Sequence, residues 1–268
     1  MKLKYLGLLF TILFFNKSFP QSTASEQVSK FTIEAPQLDT IRTIWVYLPK
    51  DYQNSDKRYP VLYMHDAQNL FDKESSYIGE WEVDEFMDTL KEHKSIIIGI
   101  EHGNENRIEE LTPYRHAEFG GGRGEAYLNF LKNTLKPHVD VTYRTKAEAK
   151  HTTILGASLG GLISFYAAIK YPETFGKAGV FSASFWVSEE IYDLVKASEI
   201  SNSSKFYFVI GSEEGDDMVP DHQRMVKLLK TKGVKDDHLA NYIIEGGQHN
   251  EALWMSQFPA AYNWLSKF

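Results

Sequence analysis

The chain contains no cysteine among its 268 residues. Disulfide bonds are therefore excluded, and so is the lipid-modified cysteine that anchors a lipoprotein. The longest apolar run, residues 5–15, is too short to span a membrane. The sequence also lacks internal repeats, coiled-coil heptads and low-complexity tracts. These absences favour a globular protein that is held together by its core alone.

The N-terminus has the pattern of a secretory signal peptide. Lys2 and Lys4 precede the apolar run, and the polar stretch 16–22 follows it. We predict that residues 1–21 form this signal and that the protein is exported, to the periplasm or to the medium. Cleavage is expected within residues 19–24, with an uncleaved anchor as the alternative.

Three lysines and no acidic residue lie in residues 1–21, so the formal net charge of -7 becomes -10 in the mature chain. An acidic protein is a poor partner for nucleic acid or for an anionic membrane surface. We therefore predict no nucleic-acid partner and no stable membrane anchoring. Residues 22–30 are polar and are predicted to be a flexible tail, which leaves residues 31–268 as a single domain.

The pattern of apolar residues predicts an α/β fold. Residues 31–34 and 40–48 alternate apolar with polar side chains and are expected to form an antiparallel pair. Continuous apolar runs, typical of parallel strands covered on both faces, follow at 59–66, 95–100, 152–157, 178–183, 205–210 and 239–244. Segments with helical spacing separate most of them. The prediction is a mostly parallel eight-stranded sheet with helices on both faces, in which ligands bind beyond the carboxyl ends of the strands.

Residues 152–161 have the sequence of a nucleophile elbow. A predicted strand ends in Gly-x-Ser-x-Gly and leads directly into a helical apolar stripe. Gly156 and Gly160 are expected where a side chain would clash. Ser158 would lie at a helix N-terminus, which favours developing negative charge. We predict that Ser158 is a nucleophile; an ordinary serine in a glycine-rich turn is the alternative.

A serine nucleophile needs a base and a third group that orients the base. His249 follows the last predicted strand and two glycines, and it comes after the serine, as in the chain order of α/β hydrolases. We predict that His249 is the base. The acid is expected in the loop after residue 210, and the residues alone do not choose among its four carboxylates, Glu213, Glu214, Asp216 and Asp217.

The oxyanion that forms during acyl transfer needs preorganised hydrogen-bond donors. The amide of Leu159 is one predicted donor. The loop after residues 65–66 is expected to supply the other, from the amide of Ala67 or Gln68, with Asn69 nearby as a predicted substrate contact. His65 and Asp66 themselves are interpreted as a polar network that shapes this loop.

No histidine or carboxylate pattern in the chain has zinc or calcium spacing. The glycine-rich stretch 119–124 lacks the Gly-Lys-Ser/Thr ending of a phosphate-binding loop. The sequence therefore predicts neither a metal nor another cofactor.

Five motifs together resemble the esterase family of α/β hydrolases that includes esterase D, feruloyl and acetyl xylan esterases, enterobactin-type siderophore esterases and mycolyltransferases. The motifs are residues 59–72, 107–113, 156–161, 182–186 and 247–251. The resemblance extends from about residue 30 to the C-terminus and implies an α/β-hydrolase fold.

The resemblance also implies roles for individual residues. Ser158 would be the nucleophile and His249 the base, and Glu214 would be the acid, because relatives place it three residues after the glycine that ends the strand. Relatives usually carry glycine in place of Ala67. The family positions near the cleft imply substrate contacts, with a structural role as the alternative, for Arg107, Trp186 and Trp254.

These predictions describe an exported serine ester hydrolase with an open cleft, acting on acyl or feruloyl esters of carbohydrate. The alternatives are a siderophore trilactone esterase, an acyltransferase to a sugar hydroxyl and, from a different class, a non-catalytic binding module on a hydrolase scaffold.

Overall fold

A computed structural model describes residues 22–267. Its centre is an eight-stranded sheet with the order β1-β2-β4-β3-β7-β8-β9-β10. A separate hairpin of two short strands, β5 and β6, was not predicted. The strands are β1 (Val28–Ala35), β2 (Thr40–Tyr47), β3 (Val61–His65), β4 (Ile96–Ile100), β5 (Arg115–His116), β6 (Gly120–Gly121), β7 (Thr152–Ala157), β8 (Lys177–Phe181), β9 (Lys205–Gly211) and β10 (Leu239–Ile244).

The pairing is antiparallel between β1 and β2 and between β2 and β4, and parallel across the rest of the large sheet. The mostly parallel eight-stranded sheet is therefore the predicted one. Since parallel strands end at the same edge, the loops after β3, β7, β9 and β10 meet there.

Helices cover both faces of the sheet. They are α1 (Val83–Thr89), α2 (Arg107–Leu111), α3 (Gly124–Phe130), α4 (Lys136–Thr142), α5 (Leu159–Lys170), α6 (Glu190–Ala197), α7 (Met218–Thr231) and α8 (Glu251–Leu265). A π-helical turn, Leu131–Leu135, joins α3 to α4. None of the helices within residues 22–267 is both long and apolar enough to cross a membrane.

The two faces divide the core into two apolar clusters. Successive side chains of a strand point to opposite faces, so Val61 and Tyr63 of β3 pack in the cluster that includes α5, whereas Leu62 and Met64 pack in the one that includes α1 and α8. Both faces of β3 are thus buried, which explains its continuous apolar sequence.

The N-terminal segment differs from the flexible tail predicted for residues 22–30. The Ser22 hydroxyl donates to the Asp72 carboxylate at 2.7 Å, and the Ser25 amide donates to Asp84 at 2.6 Å. From Val28 onward the chain pairs with β2. Buried acceptors on the domain thus hold a segment whose polar composition alone predicts disorder. The predicted signal peptide, residues 1–21, lies outside the described residues.

Candidate active site

Ser158 occupies the turn between β7 and α5, with φ 59° and ψ -123°. Its amide donates to the carbonyl of Phe181 in β8 at 2.9 Å, which fixes the turn against the sheet. A Cβ on Gly156 would lie 2.7 Å from the backbone of Gly160, and a Cβ on Gly161 would lie 2.7 Å from the Phe181 oxygen. Strand β7 and helix α5 can pack this closely only because positions 156 and 161 are glycine.

The expectation for Gly160 was wrong. A Cβ there would have His65 as its nearest neighbour, at 3.4 Å, which is ordinary contact. The crowded positions of this elbow are Gly156 and Gly161, because there the α5 backbone faces the backbone of the sheet.

His249 lies in the loop between β10 and α8, and its Nδ1 atom is 2.9 Å from the Glu214 carboxylate. The Glu214 side chain is fully buried, whereas the His249 side chain is 35% exposed. The second Glu214 oxygen accepts hydrogen bonds from the Ser182 hydroxyl at 2.6 Å and from the Gly211 amide at 2.7 Å. Glu214 is thus held in place by donors and directed at one ring nitrogen of His249.

The other three acids of this loop do not contact His249. Glu213 accepts a long hydrogen bond, 3.4 Å, from the side chain of Gln248. Asp216 and Asp217 are exposed to solvent. The geometry therefore distinguishes Glu214 among four carboxylates that the residues alone left equivalent.

Two residues that sequence reasoning did not single out support this arrangement. Ser182 accepts a hydrogen bond from the Trp254 indole at 2.9 Å while it donates to Glu214. The Trp254 ring meets the His249 ring edge to face, with centroids 5.0 Å apart. Ser184 lies 3.2 Å, oxygen to oxygen, from the Ser158 hydroxyl.

Backbone amides without a protein acceptor lie at the two loops predicted for the oxyanion hole. Asp66 adopts the left-handed conformation, with φ 56°, and begins a 3₁₀ turn over Ala67–Asn69. Within residues 22–267 the amides of Ala67, Gln68 and Leu159 donate to no protein acceptor. Gln68 lines the cleft described below, whereas Ala67 is fully buried beneath it.

A cleft of about 490 Å³ opens at this edge of the sheet and contains Ser158. Its other lining residues come from the loops after β3, β4 and β7 and from the start of α8. They are His65, Asp66, Gln68, Asn69, Leu70, Ser75, Tyr77, Ile78, Trp81, His102, Asn104, Arg107, Ala157, Glu251 and Trp254.

His65 and Asp66 form the polar network that was predicted for them. The Arg107 guanidinium binds both Asp66 carboxylate oxygens, at 2.7 and 2.9 Å. Burial alone would raise the pKa of Asp66, but the charge and the hydrogen bonds of Arg107, with smaller contributions from neighbouring groups, together hold this pKa below its usual range. His65 Nδ1 lies 2.7 Å from the Tyr127 hydroxyl, and burial lowers the pKa of His65 to about 4. His65 is therefore neutral at pH 7.

The family of the chain follows from a comparison with protein-family models. Residues 35–265 match the model of the family described as "Putative esterase". The chain belongs to this esterase family. Membership supports carboxylic-ester hydrolysis as the reaction of this esterase.

Known proteins similar to this esterase fall into three kinds. An uncharacterized protein of Bacillus subtilis (strain 168), YbbA, is 31% identical over 237 residues, which cover 84% of this chain and 92% of YbbA. An endo-1,4-beta-xylanase/feruloyl esterase of Xylanibacter ruminicola is 26% identical over 85% of this chain and 30% of that longer enzyme. The crystal structure of the enterobactin esterase FES from Shigella flexneri has a TM-score of 0.71 and 17% identity, over 91% of this chain and 61% of FES. This structural similarity confirms the predicted α/β-hydrolase fold.

The substrate contacts predicted for this esterase divide into two groups. Asn69, Arg107 and Trp254 line the cleft. Trp186 does not line it and is 45% exposed; its ring packs edge to face on Phe119, with centroids 5.6 Å apart. A 3₁₀ turn, Phe185–Val187, buries the residues on either side of Trp186 and leaves Trp186 facing outward.

Sequence reasoning missed two ionisable residues of the cleft. His102 follows β4 at the same edge of the sheet, so the rule that ligands bind at strand ends could have identified it. Glu251 lies within the last of the five family motifs, two residues after His249, but its carboxylate was not assigned a role.

Among the residues that the structure describes, one group of carboxylates outside the cleft lining could hold a cation. Oxygens of Glu80, Asp84 and Glu85 lie within 4.8 Å of one another. Burial and the neighbouring Asp84 carboxylate raise the pKa of Glu85 to about 8. A proton shared by the group would relieve the same repulsion as a metal ion. The spacing in sequence matches no metal-binding motif, so the group was not predicted.

Proposed function

We propose that this esterase is an exported serine hydrolase in which Ser158 is the nucleophile, His249 the base and Glu214 the orienting acid. The observation that carries the proposal is the environment of Glu214. Its side chain is buried, one carboxylate oxygen accepts hydrogen bonds from Ser182 and Gly211, and the other lies against Nδ1 of His249. A base held in one tautomer by a buried carboxylate is what a serine nucleophile requires.

The first half-reaction begins with a rotation of the Ser158 hydroxyl. In the free protein this hydroxyl lies against Ser184. Because Glu214 occupies Nδ1, the Nε2 atom of His249 is the nitrogen that accepts the Ser158 proton. The oxygen then attacks the ester carbonyl, and His249 returns the proton to the departing alcohol. Water repeats the sequence on the acyl-enzyme and frees the acid.

The negative oxygen of the tetrahedral intermediate would bind the amide of Leu159 and an amide of the loop after β3. We favour Gln68 over Ala67 for the second donor, because Gln68 lines the cleft and Ala67 lies beneath it. Both proposed donors need no rearrangement, since neither has a protein acceptor to leave. Each such donor is worth about 3 kcal/mol of transition-state stabilisation.

We propose acyl or feruloyl esters of carbohydrate as the substrates. Two exposed apolar side chains, Tyr77 at 92% and Ile78 at 69%, border the cleft and offer a surface for a sugar or aryl ring. The X. ruminicola relative carries a feruloyl esterase in its name. The cleft is open to solvent at these exposed side chains, and the access of water favours hydrolysis over transfer to a sugar.

A siderophore trilactone is the second candidate, because the FES structure is that of an enterobactin esterase. The charges of the cleft count against it. The side chains of Asp66 and Glu251 outnumber the single guanidinium of Arg107, and burial keeps His65 neutral. A ferric tris-catecholate is a trianion and would be repelled by this lining.

The decisive test is hydrolysis of p-nitrophenyl acetate by the purified mature chain and by Ser158→Ala. We expect the variant to lose activity by about 10⁶-fold, as for removal of other serine nucleophiles. Ser203→Ala, an exposed serine far along the chain, serves as the matched control and keeps full activity. An inactive wild-type protein would instead support the binding-module alternative.

Two further measurements test the finer parts of the proposal. Product release from acetyl xylan, methyl ferulate and a ferric trilactone ranks the substrate classes, and the trilactone is expected last. Fractionation of cells that produce the full chain or a chain without residues 1–21 tests export. Equal periplasmic amounts of the two chains would contradict it.

A further inference from the structure

Glu251 is the first residue of α8 and reaches into the cleft beside the proposed catalytic histidine. The residue is only 6% exposed. A Cβ on Gly79 would lie 3.1 Å from the Glu251 Cβ, so the loop before α1 packs directly against the side chain. The carboxylate group is consequently held in the cleft wall and does not extend into bulk solvent.

The surroundings of this carboxylate contain no partner that satisfies it. Apart from its own amide at the start of α8, no residue within 22–267 donates a hydrogen bond to Glu251, and it forms no ion pair there. Water reaching through the open cleft can solvate it. A substrate that fills the cleft displaces this water, and a carboxylate left without a donor then costs binding energy.

The guanidinium of Arg107, a positive charge that lines the same cleft, is already engaged. Arg107 and Glu251 attract each other electrostatically without forming an ion pair. Two nitrogens of the guanidinium, Nε and one Nη, bind Asp66, and its remaining Nη has no acceptor among the described residues. The cleft therefore offers an acceptor and a donor near each other that leave each other unsatisfied.

A hydroxyl group fits this pair chemically. It donates one hydrogen bond and accepts others, so it can satisfy a carboxylate and a guanidinium at once. An anionic group would be repelled by the carboxylates of Glu251 and Asp66. An apolar group would leave the Glu251 carboxylate and the Arg107 guanidinium without hydrogen-bond partners. A neutral polyol, such as the ring of a sugar, is the chemical class that leaves no group unpaired.

We propose that Glu251, together with the free Nη of Arg107, forms a subsite that binds a hydroxyl group of the substrate next to the scissile ester. The subsite makes the esterase selective for esters of uncharged polyols. This inference rests on the proposed role of Ser158, since it places the subsite in the same cleft. Glu251 is a binding residue in this scheme and takes no part in proton transfer.

The test compares two acetate esters that differ in their hydroxyl groups, an acetylated methyl xyloside and cyclohexyl acetate. The measured quantity is the ratio of their kcat/KM values, taken on the same preparation so that any loss of folded protein cancels. We expect the wild type to favour the xyloside. Glu251→Ala should lower the ratio about tenfold or more, the loss of a hydrogen bond to a charged acceptor.

Glu251→Gln should lower the ratio less than Glu251→Ala, because the amide keeps an acceptor oxygen but loses the charge. Glu245→Gln removes an exposed carboxylate six residues earlier and is the matched control, with an unchanged ratio. A wild-type ratio near one, or an equal ratio in wild type and Glu251→Ala, would overturn the subsite. Wild-type protein inactive on both esters, or Ser158→Ala retaining activity, would instead show that the proposed mechanism itself is wrong.

Discussion

Glu214 and Glu251 both lie close to His249, yet their surroundings are opposite. Glu214 has no exposed surface and receives hydrogen bonds from Ser182 and Gly211 in addition to its contact with His249. Glu251 lines the cleft and receives none from another residue in the described part of the chain. A satisfied carboxylate is fixed and can orient a neighbour. An unsatisfied one is available to a ligand.

The comparison shows how one side-chain type takes two roles through the donors around it. Glu214 lies in the loop after β9 and receives hydrogen bonds from the ends of two neighbouring strands. Gly211 is the last residue of β9, and Ser182 directly follows β8. The start of α8 supplies Glu251 only with its own helix N-terminus. The three predictions below test this difference, starting with the largest expected effect.

Glu214→Gln should disrupt the hydrogen-bonded pair of Glu214 and His249. The amide cannot stabilise the imidazolium of His249 and favours the wrong tautomer, so kcat on p-nitrophenyl acetate should fall about 10⁴-fold. Glu213→Gln, Asp216→Asn and Asp217→Asn are matched controls from the same loop and should stay within about twofold of wild type. A large loss in Asp216→Asn or Asp217→Asn alone would show that the acid is misassigned.

Ser182→Ala should weaken the same site without removing the carboxylate. The substitution deletes one donor to Glu214 and leaves the Trp254 indole without its acceptor. We expect a loss of about 1–3 kcal/mol of unfolding free energy, measured by urea denaturation, and a smaller kcat. Ser182→Thr keeps the hydroxyl and should recover most of both values. If Ser182→Ala matches wild type in kcat, the donor network does not position the acid.

The fold and two of the three proposed catalytic residues could be predicted from the sequence, for a physical reason. Strand periodicity records which faces are buried, and the ends of parallel strands coincide at one edge. Ser158 and His249 follow β7 and β10 and are placed by that rule alone. The chain order then distinguishes them from other serines and histidines.

The remaining features depend on contacts that sequence does not record. Glu214 was named only through the family resemblance, since its donors come from a different strand. The outward direction of Trp186 follows from a 3₁₀ turn that buries both of its neighbours. The burial of Glu251 in the cleft wall includes close packing against Gly79, which is distant in the chain. Each case is decided by tertiary packing.

The unfolding free energy measured as a function of pH tests whether the Glu251 carboxylate is poorly solvated in the folded protein. Burial and the nearby Asp66 charge raise the pKa of Glu251 above its usual range, although its own backbone amide, His249 and Arg107 oppose them. A raised pKa means that the folded protein holds the proton more tightly than the unfolded chain.

The stabilising contribution of this proton is complete below the unfolded pKa of about 4.3 and is lost as the pH rises through the folded pKa. Relative to Glu251→Gln, the wild type should therefore lose stability as the pH rises above the unfolded pKa of a glutamate, about 4.3. Urea denaturation of the two proteins across these pH values measures the difference, with Glu245→Gln as the control that runs parallel to wild type. If the curves of wild type and Glu251→Gln also run parallel, then Glu251 is as well solvated as a surface carboxylate, and its contrast with Glu214 is one of position only.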